Sequence, residues 1–161
     1  MPRLDQSFFM RDVLEVAPDL LGKRLVRSLY DGTCQKYMIT EVEAYRGKED
    51  LACHASKGRT ARTDIMYHEG GHIYVYLIYG MYWMLNFVTA QEENPQAVLI
   101  RGVEGFDGPG KLTRHLLIDK SFYGENLHFS KRLWVEDEIN EKEIKIKTTP
   151  RIGIDYAGEE N

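Results

Sequence analysis

Glu43 and Tyr45 stand two residues apart at the end of a β-type run, directly ahead of a long stretch that carries His54. Residues at that spacing on a strand point to the same side, so a carboxylate and a phenol can line one pocket. Tyr74 and Tyr76 repeat the spacing, and Asn86 is a polar residue set among Leu85, Phe87 and Val88. A carboxylate in such a pocket can take a proton from water or stabilise a developing cation, and aromatic rings can stack on a planar ligand. Period alone leaves a second reading equally open, a sheet whose tyrosine hydroxyls simply reach solvent.

Two further patterns have chemical precedents. His68-Glu69-Gly70-Gly71-His72 fits the H-E-x-x-H pattern of zinc hydrolases, in which two histidines four apart on a helix bind the metal and the Glu activates water. Adjacent glycines cost about 1 kcal/mol each inside a helix, and the Ile-Tyr-Val-Tyr-Leu-Ile-Tyr run that follows favours a strand. A solvated turn is therefore the expectation, with zinc hydrolysis as the second functional reading. Gly105-Phe106-Asp107-Gly108-Pro109-Gly110-Lys111 fits the start of a phosphate-binding loop, but Leu112 stands where Ser or Thr would hold magnesium. That argues against a nucleoside triphosphatase and leaves two readings. One is a plain Gly-Pro lead-in to a helix; the other is a helix start where Gly110 and Lys111 grip a backbone phosphate.

The elements that must hold these residues follow from pattern and punctuation. Ser7 is placed to cap a short helix reaching about Val16, and Ala17-Pro18-Asp19-Leu20-Leu21-Gly22 reads as a second helical turn with Gly at its exit. Arg24 to Tyr30, the Asp31-Gly32 turn and Gln35 to Tyr45 give a hairpin signal, with Tyr37, Ile39, Glu41, Glu43 and Tyr45 on one face. Residues 46–71 show no sustained apolar period and read as a long loop, which in a compact domain is more often functional than idle. His72 to Tyr79 and Tyr82 to Ala90 are two β-type runs meeting at Tyr79-Gly80-Met81-Tyr82, a tight turn with large apolar side chains. Gln96 to Val103, Leu127 to Val135 and Glu143 to Thr148 read as further strands, and Pro109 to Leu117 as a short helix. The expectation is one α+β domain over residues 1–161, on a mainly antiparallel or mixed β-sheet with short helices and a protruding aromatic β-hairpin.

The chain has 161 residues, 43% of them hydrophobic, enough for one core. No apolar run approaches the roughly 20 residues of a membrane span, and the first residues lack the pattern of a signal peptide. The expected location is the cytoplasm, at the nucleoid of a bacterium or in the nucleus of a eukaryote, with no membrane association. Cys34 and Cys53 have no metal-type spacing and read as reduced thiols. A net charge of -4 counts against nucleic-acid binding. Much of the acid, however, lies after Trp134, while Lys57, Arg59 and Arg62 cluster centrally and Lys111, Arg114 and Lys120 follow later, so a local basic face is compatible with the total.

Glu41-Val42-Glu43-Ala44-Tyr45, Ala52-Cys53-His54, Tyr74-Val75-Tyr76-Leu77-Ile78-Tyr79-Gly80-Met81-Tyr82 and Val98-Leu99-Ile100-Arg101 resemble the alkyladenine (3-methyladenine, or methylpurine) DNA glycosylase family. Gly108-Pro109-Gly110-Lys111-Leu112 and Arg151-Ile152-Gly153-Ile154-Asp155-Tyr156-Ala157-Gly158 are similar to its later motifs. The likeness runs in order from about Leu20 to Gly158, with a shorter stretch between Arg101 and Gly108 than the family pattern has. It implies Glu43 as the general base that activates water and Arg101 as a residue near that water. It also implies that Tyr45, His54 and Tyr76 enclose a flipped base, that Asn86 crowds the amino group of guanine, and that Tyr79, with Met81 beside it, enters the minor groove. Lys57, Arg59, Arg62, Gly110 and Lys111 are then the expected phosphate contacts.

The chemistry suits these residues. Breaking a glycosidic bond passes through an oxocarbenium-like state, so a nearby carboxylate both stabilises growing positive charge and accepts a proton from water. Extruding a base costs a few kcal/mol, and stacking on a ring returns roughly 1 to 3 kcal/mol. No lysine stands out as a Schiff-base nucleophile, which agrees with a monofunctional enzyme that leaves an abasic site. The resemblance implies duplex DNA with damaged purines as partner (3-methyladenine, 7-methylguanine, hypoxanthine or ethenoadenine), a monomer, and neither cofactor nor metal. A zinc hydrolase and a non-catalytic nucleic-acid-binding module remain as competing functions.

Overall fold

The computed structural model describes residues 2–47 and 58–138 of the chain. His54, Lys57, Cys53, the strand expected at 143–148 and the motif at 151–158 lie outside the described residues.

The chain opens with two helices instead of the single one expected from Ser7 to Val16. Helix α1 (Gln6–Phe9) is capped by Asp5, whose carboxylate accepts the Phe8 N–H; the Ser7 hydroxyl donates to that same carboxylate and caps nothing. Helix α2 (Val13–Leu20) restarts at Asp12, which accepts the Leu14 N–H, and it absorbs the turn expected separately around Pro18. The interruption is used: the Ala90 N–H donates to the carbonyls of both Phe9 and Arg11. Gly22 exits the second helix at φ +88°, as its position in the sequence requires.

Among the described residues, seven strands form one curled antiparallel sheet in the order β3-β4-β5-β2-β1-β7, with β6 also pairing with β5. They are β1 (Arg24–Ser28), β2 (Cys34–Arg46), β3 (Ile73–Ile78), β4 (Tyr82–Thr89), β5 (Gln96–Val103), β6 (Phe106–Asp107) and β7 (Leu133–Glu136). Strand β5 has the bounds its apolar run predicts. The short stretch after Arg101 closes as a tight β5–β6 hairpin over Glu104 and Gly105, with Gly105 at φ +88°. It leads into α3 (Pro109–His115). The strand expected from Leu127 to Val135 is confined to Leu133–Glu136, because Asn126 draws the Phe129 and Ser130 N–H groups into a turn.

The hairpin β1–β2 does not keep its five expected residues on one face. Ile39 pairs with Val103, Glu41 with Gly102 and Val42 with Ile100, so Thr40 is an extra residue on β2 and Arg101 an extra residue on β5. These offset bulges change the phase of the alternation. Tyr37 and Ile39 join Val42 and Ala44 on the side that packs against the helices, with Val98, Ile100, Leu85 and Phe87. Glu43 and Tyr45 point to the other side, toward a smaller cluster of Ile65, Met66, Tyr67, Tyr74, Val88 and Ala97.

Both outer strands are covered. Residues 124–127 run along β3, where Gly124 donates to Ile73 and Ile73 to Glu125, and the N-terminal segment runs along β7, where Leu4 donates to Val135. Among the described residues no helix is long and apolar enough to cross a membrane.

Candidate active site

Directly opposed residues in antiparallel strands share a face. Glu43 on β2 opposes Leu99 on β5, Leu99 opposes Asn86 on β4, and Asn86 opposes Tyr74 on β3. One transverse row across four strands thus carries a carboxylate, an apolar floor, an amide and a phenol. Tyr45, Ala97 and Val88 form the row on one side of it, and Tyr76 opposes Met84 on the other.

Glu43 is only 8% exposed, and both of its oxygens are held. The Tyr45 hydroxyl donates to Oε2 at 2.6 Å, and Arg101 Nη1 donates to Oε1 at 3.0 Å. Charge-assisted bonds of this kind fix a carboxylate's rotamer. Arg101 reaches across because it is the bulged residue of β5, and its Nε lies 3.4 Å from Glu41 Oε1, so one guanidinium faces two carboxylates. Glu41 carried no role in the sequence reading; its spacing of two from Glu43 was the signal available.

Asn86 is buried, and its amide donates to the carbonyls of Tyr74 at 3.3 Å and Met84 at 3.4 Å, which fixes the side chain within the sheet. The Tyr74 and Tyr76 ring centroids are 5.3 Å apart, and Tyr123 meets Tyr74 edge-on at 6.1 Å. Tyr123 extends the aromatic lining beyond the residues expected from sequence. Burial pushes the Tyr123 phenol up, and its hydroxyl donates to the Arg62 carbonyl at 2.9 Å.

The basic residues are placed unevenly. Arg59 is engaged within the protein, donating to Asp64 at 2.7 Å and to Glu93 at 3.0 Å, and it lies over the Tyr67 ring. Its hydrogen bond, then that of His68, holds Asp64 below the usual carboxylate range. Arg62 lies over Tyr76, its guanidinium carbon 5.0 Å from the ring centroid. Lys111 is exposed near the start of α3. Gly110 packs on Tyr82, where an added Cβ would come within 2.7 Å of the ring, so close contact with β4 explains that glycine.

The turn between β3 and β4 places Tyr79 and Gly80 at φ +54° and +64°, with the Met81 N–H donating to the Ile78 carbonyl. Tyr79 is 85% exposed and Met81 63% exposed. By contrast, His68-Glu69-Gly70-Gly71-His72 follows a 3-10 turn (Asp64–Tyr67) and enters β3 without forming a helix. A Cβ on Gly70 would fall 2.1 Å from the Phe9 carbonyl oxygen, and Gly71 sits at φ +105°. Close packing and backbone conformation account for both glycines. His68 Nε2 is 3.0 Å from Asp64 and His72 Nδ1 is 2.8 Å from the Glu69 carbonyl. Among the described residues no three His, Cys, Asp or Glu side chains gather to hold a metal.

A carboxylate anchored by a guanidinium beside tyrosines is equipped for hydrolysis next to a planar, electron-poor group. Residues 7–107 and 104–161 match the family Methylpurine-DNA glycosylase (MPG), and the chain belongs to that family. It is 46% identical to a protein of Methanocella arvoryzae, an alignment covering 99% of this chain and 88% of the relative. A Psychrobacter cryohalolentis protein is 43% identical over 95% of this chain and 85% of its own length. One from Bdellovibrio bacteriovorus is 45% identical over 97% and 89%. All three are named, provisionally, as 3-methyladenine DNA glycosylases.

Proposed function

We propose that the protein is a monofunctional DNA glycosylase that flips alkylated or deaminated purines out of duplex DNA and hydrolyses their N-glycosidic bond with water activated by Glu43. The observation that carries this reading is the Glu43 carboxylate, buried at the ring-lined face and held by Tyr45 and Arg101. Water adds its oxygen to the sugar carbon, its proton passes to Glu43, and the base leaves with the bonding electron pair. The product is an abasic site in an uncut strand. The substrates are 3-methyladenine, 7-methylguanine, hypoxanthine and ethenoadenine, enclosed by Tyr45, Tyr76 and His54. Asn86 rejects the guanine amino group, Tyr79 and Met81 fill the gap in the duplex, and Lys57, Arg62, Gly110 and Lys111 meet the phosphates. Arg59 joins them only by releasing Asp64 and Glu93. The enzyme works as a monomer and without cofactor or metal, so excision survives exhaustive chelation.

Glu43→Gln keeps the shape of the site and removes the proton acceptor. Single-turnover excision of hypoxanthine should fall by about 10² to 10⁴, with affinity for the damaged duplex retained. Near-normal turnover in that variant would remove Glu43 from its role.

A further inference from the structure

Arg62 holds a place that a phosphate contact alone does not explain. Its guanidinium carbon lies 5.0 Å from the centroid of Tyr76, inside the range in which a cation is drawn to a ring face. The backbone beneath it is pinned by the Tyr123 hydroxyl, which donates to the Arg62 carbonyl at 2.9 Å. The loop around it is braced by reciprocal bonds: the Thr60 N–H donates to Thr63 Oγ1 at 2.9 Å, and the Thr63 N–H to Thr60 Oγ1 at 3.2 Å. Arg59 then ties the same loop to Asp64 and Glu93. The side chain is exposed, but its anchor is fixed, so the positive charge is built into the approach to the ring.

That charge bears on which base the ring receives. A 7-methylguanine or 3-methyladenine in DNA carries a positive charge and would be drawn to the electron-rich face of a bare tyrosine. At Tyr76 such a base meets a resident cation sharing the same ring, and the two like charges repel at close range. A neutral base such as hypoxanthine meets no like charge there. We propose that Arg62 is a specificity-determining residue of the base pocket, shifting the balance among the proposed substrates toward neutral lesions relative to cationic N-methylpurines. The proposal rests on the reading of Tyr76 as a base-stacking ring in a glycosylase.

The test compares two duplex oligonucleotides, one with a single 7-methylguanine and one with a single hypoxanthine, under single-turnover conditions. Arg62→Gln should raise the ratio of the 7-methylguanine rate to the hypoxanthine rate by roughly two- to fivefold, the range expected for one exposed cation–ring contact. Arg62→Lys, which keeps the charge, should return the ratio toward that of the unaltered protein. Melting temperatures confirm that both variants fold. An unchanged or lowered ratio in Arg62→Gln overturns the proposal. So does a parallel fall of both rates with weaker binding and a shallower salt dependence, which would make Arg62 a phosphate contact only. Release of neither base by the unaltered protein is a distinct result, since it removes the glycosylase reading itself.

Discussion

At the scale of single residues, the site is governed by what each polar group is already bonded to. Glu43 has a partner on each oxygen, whereas Asn86 spends its amide on two backbone carbonyls and so presents a fixed shape on the sheet face. Asn86→Ser should open space toward the purine 2-position and raise excision of undamaged guanine relative to hypoxanthine, read as the ratio of the two single-turnover rates. A falling ratio would leave Asn86 a support for the strands and nothing more. The pairing of Glu43 with Tyr45 was legible in the sequence, because two residues apart on a strand means one face. The capture of Arg59 was not: Glu93 lies far along the chain, and no local pattern announces a contact that only the folded loop creates.

At the scale of elements, the β3–β4 turn sets a side chain against its own backbone. Tyr79 adopts φ +54°, where a residue with a Cβ pays roughly 1 to 2 kcal/mol and glycine does not. Tyr79→Gly should therefore raise the melting temperature slightly while lowering the flipped population, followed by the fluorescence of ethenoadenine or 2-aminopurine in duplex DNA. A loss of stability with unchanged flipping would place the ring in a structural role and defeat the intercalation assignment. The turn itself could be read from Tyr79-Gly80 between two β-type runs. The bulges at Thr40 and Arg101 could not, since strict alternation along β2 sends Tyr37 and Ile39 to the same side as Glu43. Only the pairing with β5 shows that the phase changes.

The molecule as a whole divides its work between the two faces of one sheet, helices on one side and the site on the other. Ion pairs lace its rim, and some of them respond to acid. In Glu136 burial alone would push the carboxyl up, but bonds from Lys36 and Trp134 outweigh it and hold the group below the usual carboxylate range; Asp12 is likewise held down through Leu14, Arg46 and Gln96. Groups depressed on folding contribute stability that is present above the unfolded pKa, near 4, and lost as pH falls through the folded value. Melting temperature should be level near neutrality and decline below about pH 4. Asp12→Asn should lower the plateau and make the acid decline shallower, and an equally steep decline in that variant would assign the effect elsewhere. The α+β class and the antiparallel sheet followed from strand and turn signals, while its curl and its covered edges depend on contacts remote in sequence.

Thr40 and Arg101 each stand outside the ladder, one on either strand, and their two offsets cancel. A chain lacking both would carry Ile39, Val42 and Ala44 on the helix side and Glu43 on the other by plain alternation, with every later pair still matched. On the proposed mechanism, the ladder can thus close without a residue that the chemistry uses. A protein deleted of both should fold to an ordinary, unbroken ladder and melt near the parent temperature, yet excise nothing at a measurable rate. Failure of that variant to fold would show that the surplus residues serve the sheet's curvature as well. Where that variant folds, this stretch of the strand can shorten without trace in the fold while catalysis disappears, and intact structure is then no guide to intact repair.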